Sequence, residues 1–210
     1  MDNNNSKNHY HIKKYLLTVK TGLHIGAGKD SFEIGEMDNP VVKEFDTGIP
    51  YIPGSSLKGK IRSLLENVYK NDDDKKKLID NLFGKPAQDK NNANEYTILL
   101  IRDGFVTEDL RLKLNEKINS GEKITEEKTE VALRGGKQAN PRPIERVPVN
   151  YKFEIEVVFR FLDEEDFDKR EEYTKLWEEG IQLLQKDYLG GSGSRGYGKV
   201  EIKELEVKNN

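Results

Sequence analysis

The chain has 210 residues, a net charge of −3 and 35% charged residues, against about 25% in an ordinary domain. It holds no cysteine and only three histidines, His9, His11 and His24, which excludes disulfide scaffolds, thiolate zinc sites, iron–sulfur clusters and cysteine nucleophiles. No apolar run approaches the roughly 20 residues of a membrane helix, and the stretch MDNNNSKNHYHIKK has no apolar signal region, so a cytoplasmic protein without a membrane partner is expected.

Residues 1–12 read as a flexible polar tail, with His9 and His11 incidental, and 13–210 as one domain. KKYLLTVK (13–20) alternates around Tyr15, Leu17 and Val19, a strand pattern. Residues 21–54 are Gly- and Pro-rich and read as an insertion of short strands and loops. Gly54-Ser55-Ser56 opens a helix, with a serine as the expected N-cap. Leu57, Ile61, Leu64, Leu65 and Val68 form its apolar stripe. A second insertion is expected at about 70–95. Its charged run NDDDKKK (71–77) interrupts the helix, a short second helix follows to about Phe83, and 85–95 read as a flexible loop.

YTILLIR (96–102) reads as a strand buried on both faces. Residues 107–148 are a long polar, Pro-containing excursion, a length that usually marks function or disorder. Tyr151, Phe153, Ile155, Val157, Phe159 and Phe161 alternate, which predicts a strand with one buried face. Tyr173, Leu176, Trp177, Gly180, Ile181 and Leu184 predict a helix over 170–187, closed by Gly190-Gly191, and 198–207 close as a strand. Stripped of its excursions the order is βαββαβ. The expected fold class is therefore α+β, a ferredoxin-like (RRM-like) core with long insertions. Such sheets often bind RNA, but fold alone does not fix function.

The net charge hides an uneven distribution. Residues 50–62, 133–146 and 190–199 carry +3, +3 and +2, while 163–179 is strongly acidic. An acidic protein with basic segments of this kind can bind a polyanion, because the local field decides. Two phosphate motifs nearly match. Gly54 to Lys60 follows G-x-x-x-x-G-K, but Ile61 stands where a P-loop needs Ser or Thr for magnesium. What survives is a helix N-terminus with Lys58 and Arg62 one turn apart beside it. Gly191 to Gly196 matches G-x-G-x-x-G, yet a helix precedes it and a strand follows, the reverse of a dinucleotide fold. GGSGSRGYG (190–198) has five glycines in nine residues, which lets backbone approach a ligand closely and form an anion nest.

Taken together, YIPGSSLKGKIRSLLE (51–66), NPRPIERVP (140–148) and DYLGGSGSRGYGKV (187–200) resemble the RAMP-superfamily backbone endoribonucleases of type III-A CRISPR–Cas (Csm) effector complexes. TGLHIGAG (21–28) and IGEMDNPVVKE (34–44) extend the match in the same order. The resemblance implies an RRM-like core with inserted segments, stacked in further copies as a helical filament along CRISPR RNA beside the other type III-A subunits. It implies that a single-stranded target RNA pairs with the guide and is cut once per subunit, with a divalent metal, magnesium by expectation.

Residue by residue, the resemblance puts the catalytic and metal-binding loop aspartate at Asp38. Asp103, Glu126 and Glu130 match acidic positions of the family, and His24 is a further catalytic or RNA-contacting candidate. Ser55, Ser56, Lys58 and Arg62 fall in the helix that holds the guide, and Ser192, Gly193, Ser194, Arg195 and Gly196 in the loop against its phosphates. Arg134, Asn140 and Arg142 lie in the 107–148 excursion, which would form a thumb hairpin. The implied chemistry is attack by the RNA's own 2′-OH, giving a 5′-OH and a 2′,3′-cyclic phosphate. A non-cleaving CRISPR RNA scaffold and an RRM-like RNA-binding protein outside CRISPR are the alternatives.

Overall fold

The computed structural model describes residues 9–27, 39–85, 96–131, 133–134, 137–138 and 141–206. The fold is mixed α/β with antiparallel sheets. In chain order it runs β1 (Tyr10–Val19), α1 (Gly54–Val68), α2 (Asp73–Phe83), β2 (Leu99–Ile101), β3 (Phe105–Val106) and α3 (Glu108–Asn119). There follow β4 (Glu126–Glu130), β5 (Leu133–Arg134), β6 (Lys137–Gln138), β7 (Arg142–Arg146) and β8 (Lys152–Arg160). The chain closes with α4 (Glu164–Asp168), α5 (Arg170–Lys186) and β9 (Val200–Leu205).

The main sheet has the order β2-β8-β1-β9, with β3 also pairing to β8. Its register puts Leu17 opposite Phe153 and Ile202, and Tyr15 opposite Ile155. Those side chains share one face, and α1 and α5 cover it. Leu57, Ile61 and Leu65 of α1 are buried there with Tyr173, Leu176, Trp177, Ile181 and Leu184 of α5. Each such side chain contributes roughly 1.5–3 kcal/mol on burial. The helices approach closely because residue 180 is glycine: a Cβ there would lie 2.4 Å from Cγ2 of Ile61. The Trp177 indole N–H donates to the Tyr15 hydroxyl at 3.0 Å, and the buried Lys13 ammonium of β1 pairs with Glu178 of α5 at 2.7 Å, so these polar groups between sheet and helix are satisfied. The opposite face, with Ile12, Lys14 and Phe105, is exposed.

The strand at 151–161 and the helix at 170–187 match their patterns. Other elements depart from expectation for identifiable reasons. Strand β1 begins at Tyr10, inside the expected tail, because Tyr10 to Ile12 pair with Val158 to Arg160. The helix is interrupted as expected, α1 ending at Val68 and α2 at Phe83, and the acidic run also starts the second helix: the Asp72 side chain accepts from the Lys75 N–H, with Asp73 and Asp74 in the first turn. Strand β2 is only three residues long, and residues 86–95 lie outside those described. The excursion contains helix α3, which the pattern did not announce. Only its Leu114 is fully buried, so its apolar periodicity is weak. Its ends are still well placed in charge, with Glu108 and Asp109 in the first turn and Lys117 in the last. After it, β4 and β7 pair from Glu126–Arg146 to Glu130–Arg142. That is an antiparallel hairpin where the thumb was expected, with the short β5–β6 ladder beyond it.

Candidate nucleic-acid interface

Three segments converge at one end of the sheet: residues 21–27 after β1, the β4–β7 hairpin, and the glycine-rich turn before β9. Leu23 pairs with Val147 through both backbone groups, at 3.0 and 2.7 Å. The Gly198 N–H donates to the Gly22 carbonyl, and the Gly191 N–H to the His24 carbonyl at 2.8 Å. His24 sits between the other two segments. Its Nδ1 is 2.8 Å from the Glu145 carbonyl. A carbonyl only accepts, so Nδ1 carries a proton, and in the neutral imidazole Nε2 is then the acceptor nitrogen.

Asp38 lies outside the described residues, but both flanks of its segment are placed. Gly26 bridges Val41, and the Ala27 N–H donates to the Pro40 carbonyl. Asn39 accepts from the Glu145 N–H at 3.2 Å. Glu145, which the sequence did not single out, is the pivot of this corner. Its carboxylate is buried, accepts from the Val41 N–H at 2.9 Å and the Thr125 hydroxyl at 2.5 Å, and pairs with Lys43 at 2.7 Å. Burial alone would raise its pKa. The Lys43 ammonium and the two hydrogen bonds outweigh that and hold it below the ordinary value.

The glycine-rich turn is closely fitted. Residues 193–195 form one 3-10 turn between Ser192 and Gly196, both left-handed at φ 59° and 84°. Gly190, at φ 76°, faces the His24 carbonyl, where a Cβ would come within 2.2 Å. No Cβ fits there, so this glycine is required by packing as well as by conformation. The N–H groups of Ser192, Gly193 and Ser194 donate to no protein atom among the described residues. Ser194, Arg195 and Gly196 are exposed.

The expected RNA-binding residues fall into two groups. Arg195 and Arg142 are exposed and form no ion pair with a described residue. Lys58 is half-buried, and its ammonium reaches only the Leu99 carbonyl at 3.3 Å. Burial, with Arg62 and Arg160 nearby, lowers its pKa. Arg62, by contrast, is committed to the protein. It binds Glu66 at 2.6 Å, Asp80 at 2.8 Å and the Gly84 carbonyl. Ser55 is exposed and Ser56 half-buried at the start of α1, but neither caps it. The cap comes from outside the helix: Asp103 Oδ1 accepts from the Gly54 N–H at 2.8 Å. Asn140 lies outside the described residues, and of Arg134 only the backbone, in β5, is described.

The acidic candidates are likewise engaged. Glu126 pairs with Arg146 at 2.7 Å, and Glu130 with Lys128 at 2.8 Å. Glu130 also accepts from the Tyr197 hydroxyl at 2.7 Å. Among the described residues no group of three or more His, Asp or Glu side chains stands close enough to hold a metal ion. The described acids at this end therefore do not fit a metal centre.

A glycine-rich turn, the β4–β7 hairpin and the base of the Asp38 segment thus share one corner, and comparison with known proteins gives that corner its family. The RAMP superfamily profile matches residues 16–201. The CRISPR system Cms endoribonuclease Csm3 of Streptococcus thermophilus is 40% identical over 199 residues, covering 91% of this chain and 86% of that protein. The chain belongs to the RAMP superfamily, in its Csm3 family. Csm3 of Methanothermobacter thermautotrophicus is 37% identical over 218 residues, covering 93% of this chain and 86% of its own. Among solved structures, the Csm3–Csm4 subcomplex of the type III-A CRISPR–Cas interference complex aligns with a TM-score of 0.54 at 30% identity, over 92% of this chain and 75% of that one. A chain of the type III-B Cmr-beta complex bound to cognate target RNA has TM-score 0.63 at 19% identity, over 94% of this chain and 61% of that one, a likeness of fold. The RAMP profile spans all three segments that meet at the corner, from Thr21 to Lys199. No helix among the described residues is long and apolar enough to cross a membrane.

Proposed function

We propose that this chain is the repeated backbone subunit of a type III-A CRISPR–Cas interference complex, where it binds CRISPR RNA and cleaves the complementary target RNA at regular intervals. The observation that carries this is kinship with proteins named Csm3 endoribonucleases over nine-tenths of the chain. The convergence of the glycine turn, the hairpin and the residues that flank the Asp38 segment, Gly26 and Val41, at one end of the sheet supports it.

Its partners are CRISPR RNA, single-stranded target RNA, further copies of itself and the other type III-A subunits, in the cytoplasm. The sheet order β2-β8-β1-β9, with α1 following β1 and α5 between β8 and β9, supports a ferredoxin-like βαββαβ reading of the core. The segments at 21–54, 70–95 and 107–148 are its insertions, the last bearing the thumb.

In the reaction, the 2′-oxygen of the nucleotide before the cut attacks the adjacent phosphorus while the bond to the 5′-oxygen breaks. The 2′-OH proton is lost, the leaving 5′-oxygen gains one, and the products are a 5′-OH and a 2′,3′-cyclic phosphate. A nucleotide held in A-form helix cannot reach the in-line angle, so a hairpin that displaces it promotes attack. Asp38 assists removal of the 2′-OH proton. Its segment is anchored next door, where Asn39 meets Glu145. His24, with Nε2 as its acceptor nitrogen, is the second basic group at this end. A divalent metal, magnesium first, would stabilise the charge that builds up on the phosphate, held by Asp38 with further donors from RNA or a neighbouring copy.

The test is cleavage of target RNA by the reconstituted complex with magnesium, wild type beside Asp38→Ala, with target binding measured in parallel. Regularly spaced cuts that fall at least ~100-fold in the variant, with binding intact, are expected. Unchanged cuts in the variant sink the role of Asp38. No cuts in either protein, with binding retained, make the chain a non-cleaving scaffold. Chelation with EDTA should abolish cutting, and cutting that persists removes the metal from the proposal.

A further inference from the structure

The glycine-rich turn has the composition of a mobile segment, yet it is gripped at both ends by a tyrosine. At its start, the Lys60 ammonium of α1 lies 3.8 Å from the centroid of the Tyr188 ring. Lys60 is itself fixed by Asp187 at 2.8 Å. Gly193 packs against the same ring so closely that a Cβ there would come within 2.1 Å of it. Tyr188 therefore joins helix α1 to the middle of the turn.

At the other end Tyr197 is only 2% exposed. Its hydroxyl donates to Glu130 of β4 at 2.7 Å. Lys128 of β4 and Arg146 of β7 each stand 4.8 Å from its ring centroid. Burial and the neighbouring Glu130 push the hydroxyl pKa up to about 12, so it remains a neutral donor. Tyr197 thus joins the far end of the turn to the hairpin.

We propose that Tyr188 and Tyr197 are positioning residues that hold the glycine-rich turn in its RNA-accepting shape before RNA arrives. The inference rests on the reading of this turn as a guide-RNA contact and adds how it is kept ready. The Tyr197 ring is not placed to touch RNA as a stacking platform, and Tyr188 is half-buried. Tyr197 is buried, and Tyr188 is already packed against Lys60 and Gly193. The physical need is clear. Ordering one backbone residue costs roughly 1–2 kcal/mol, and glycine loses the most freedom. A turn with five glycines in nine residues would lose affinity if RNA had to order it. Two clamps that order it during folding remove that loss from binding.

The experiment measures guide-RNA affinity of the full chain across a salt series for wild type, Tyr188→Phe and Tyr188→Leu, with amide hydrogen exchange over 190–198 measured without RNA. Circular dichroism confirms that each variant is folded. Tyr188→Phe keeps the ring and should match wild type in both readouts. Tyr188→Leu should exchange at least tenfold faster in the turn and bind guide RNA about tenfold more weakly. Its slope of log affinity against log salt should stay unchanged, because no phosphate contact is lost. Tyr197→Phe, which breaks only the bond to Glu130, should give a smaller change in the same sense.

Three results overturn the proposal: unchanged exchange in Tyr188→Leu, affinity equal to wild type, or a reduced salt slope, which would make the side chain a direct contact. A Tyr188→Phe variant as weak as Tyr188→Leu also overturns it, since the hydroxyl and not the ring would then be the active part. If wild type binds no guide RNA, the reading of the site itself fails, a result distinct from all of these.

Discussion

Helix α1 and the glycine-rich turn are both basic in sequence, yet they hold their positive charge differently. Along α1, Lys60 is tied to Asp187 and Arg62 to Glu66 and Asp80, and Lys58 has no carboxylate partner among the described residues. In the turn, Arg195 is exposed and no described carboxylate pairs with it. The same holds for Arg142 on the hairpin. A count of lysines and arginines measures charge present. Affinity for a polyanion depends on charge still available, because an arginine already held by two carboxylates releases no counterion on binding RNA. The basic helix is therefore in large part a structural brace, and the turn and hairpin carry the accessible cations.

Four substitutions break or sharpen this contrast. The largest effect on stability is expected from Arg62→Ala, which deprives Asp80, Glu66 and the Gly84 carbonyl of a shared donor. A loss of about 2 kcal/mol is expected in urea unfolding. A variant with wild-type stability but weak RNA binding would return Arg62 to the interface. Glu145→Gln comes next, and its effect depends on pH. Glu145 is held below the ordinary carboxylate value of 4.5, so its stabilisation is present above that value and lost as pH falls through the lower folded value. The gap between wild type and variant should be widest near neutral pH and close as pH falls below the folded value of Glu145. A gap that stays constant with pH would deny the carboxylate its role at this corner.

Asp103→Ala removes the group that accepts from the Gly54 N–H and should cost about 1 kcal/mol. The cutting rate in the assembled complex should hardly change. A cutting rate that falls much more than stability would make Asp103 part of the chemistry after all. Arg195→Ala should have the smallest effect on folding, within about 0.5 kcal/mol of wild type. Its effect should appear in guide-RNA binding, where the salt slope drops by about one. An unchanged slope would mean that Arg195 touches no phosphate.

The sequence was most legible where one periodicity ran long. Strand β8 and helix α5 follow their patterns closely, because each has one dominant buried face; in β8 only Val158 breaks the alternation, buried on the other face. Helix α3 was not legible, since Leu114 alone is fully buried, Leu110 and Arg111 are partly so, and the rest is exposed. The acidic run was legible as a break between two helices, and the structure adds that its Asp72 side chain caps the second. At the candidate site, the glycine-rich turn and the segments around Asp38 stood out by composition and by family likeness. Glu145 did not, since one glutamate between Ile144 and Arg146 carries no local sign of burial. Its partners Val41, Lys43 and Thr125 come from other segments.

By itself the sequence determined which elements form the core, which segments are basic, and the family. These are properties of local pattern and of motif order. Only the tertiary structure decided which cations remain available, that Asp103 caps a helix from a distance, and that two tyrosines hold the glycine-rich turn. Those depend on pairs of residues far apart in the chain, such as Lys13 with Glu178 or Tyr197 with Glu130. No local pattern encodes such a pair, because its energy exists only once folding has brought both partners together.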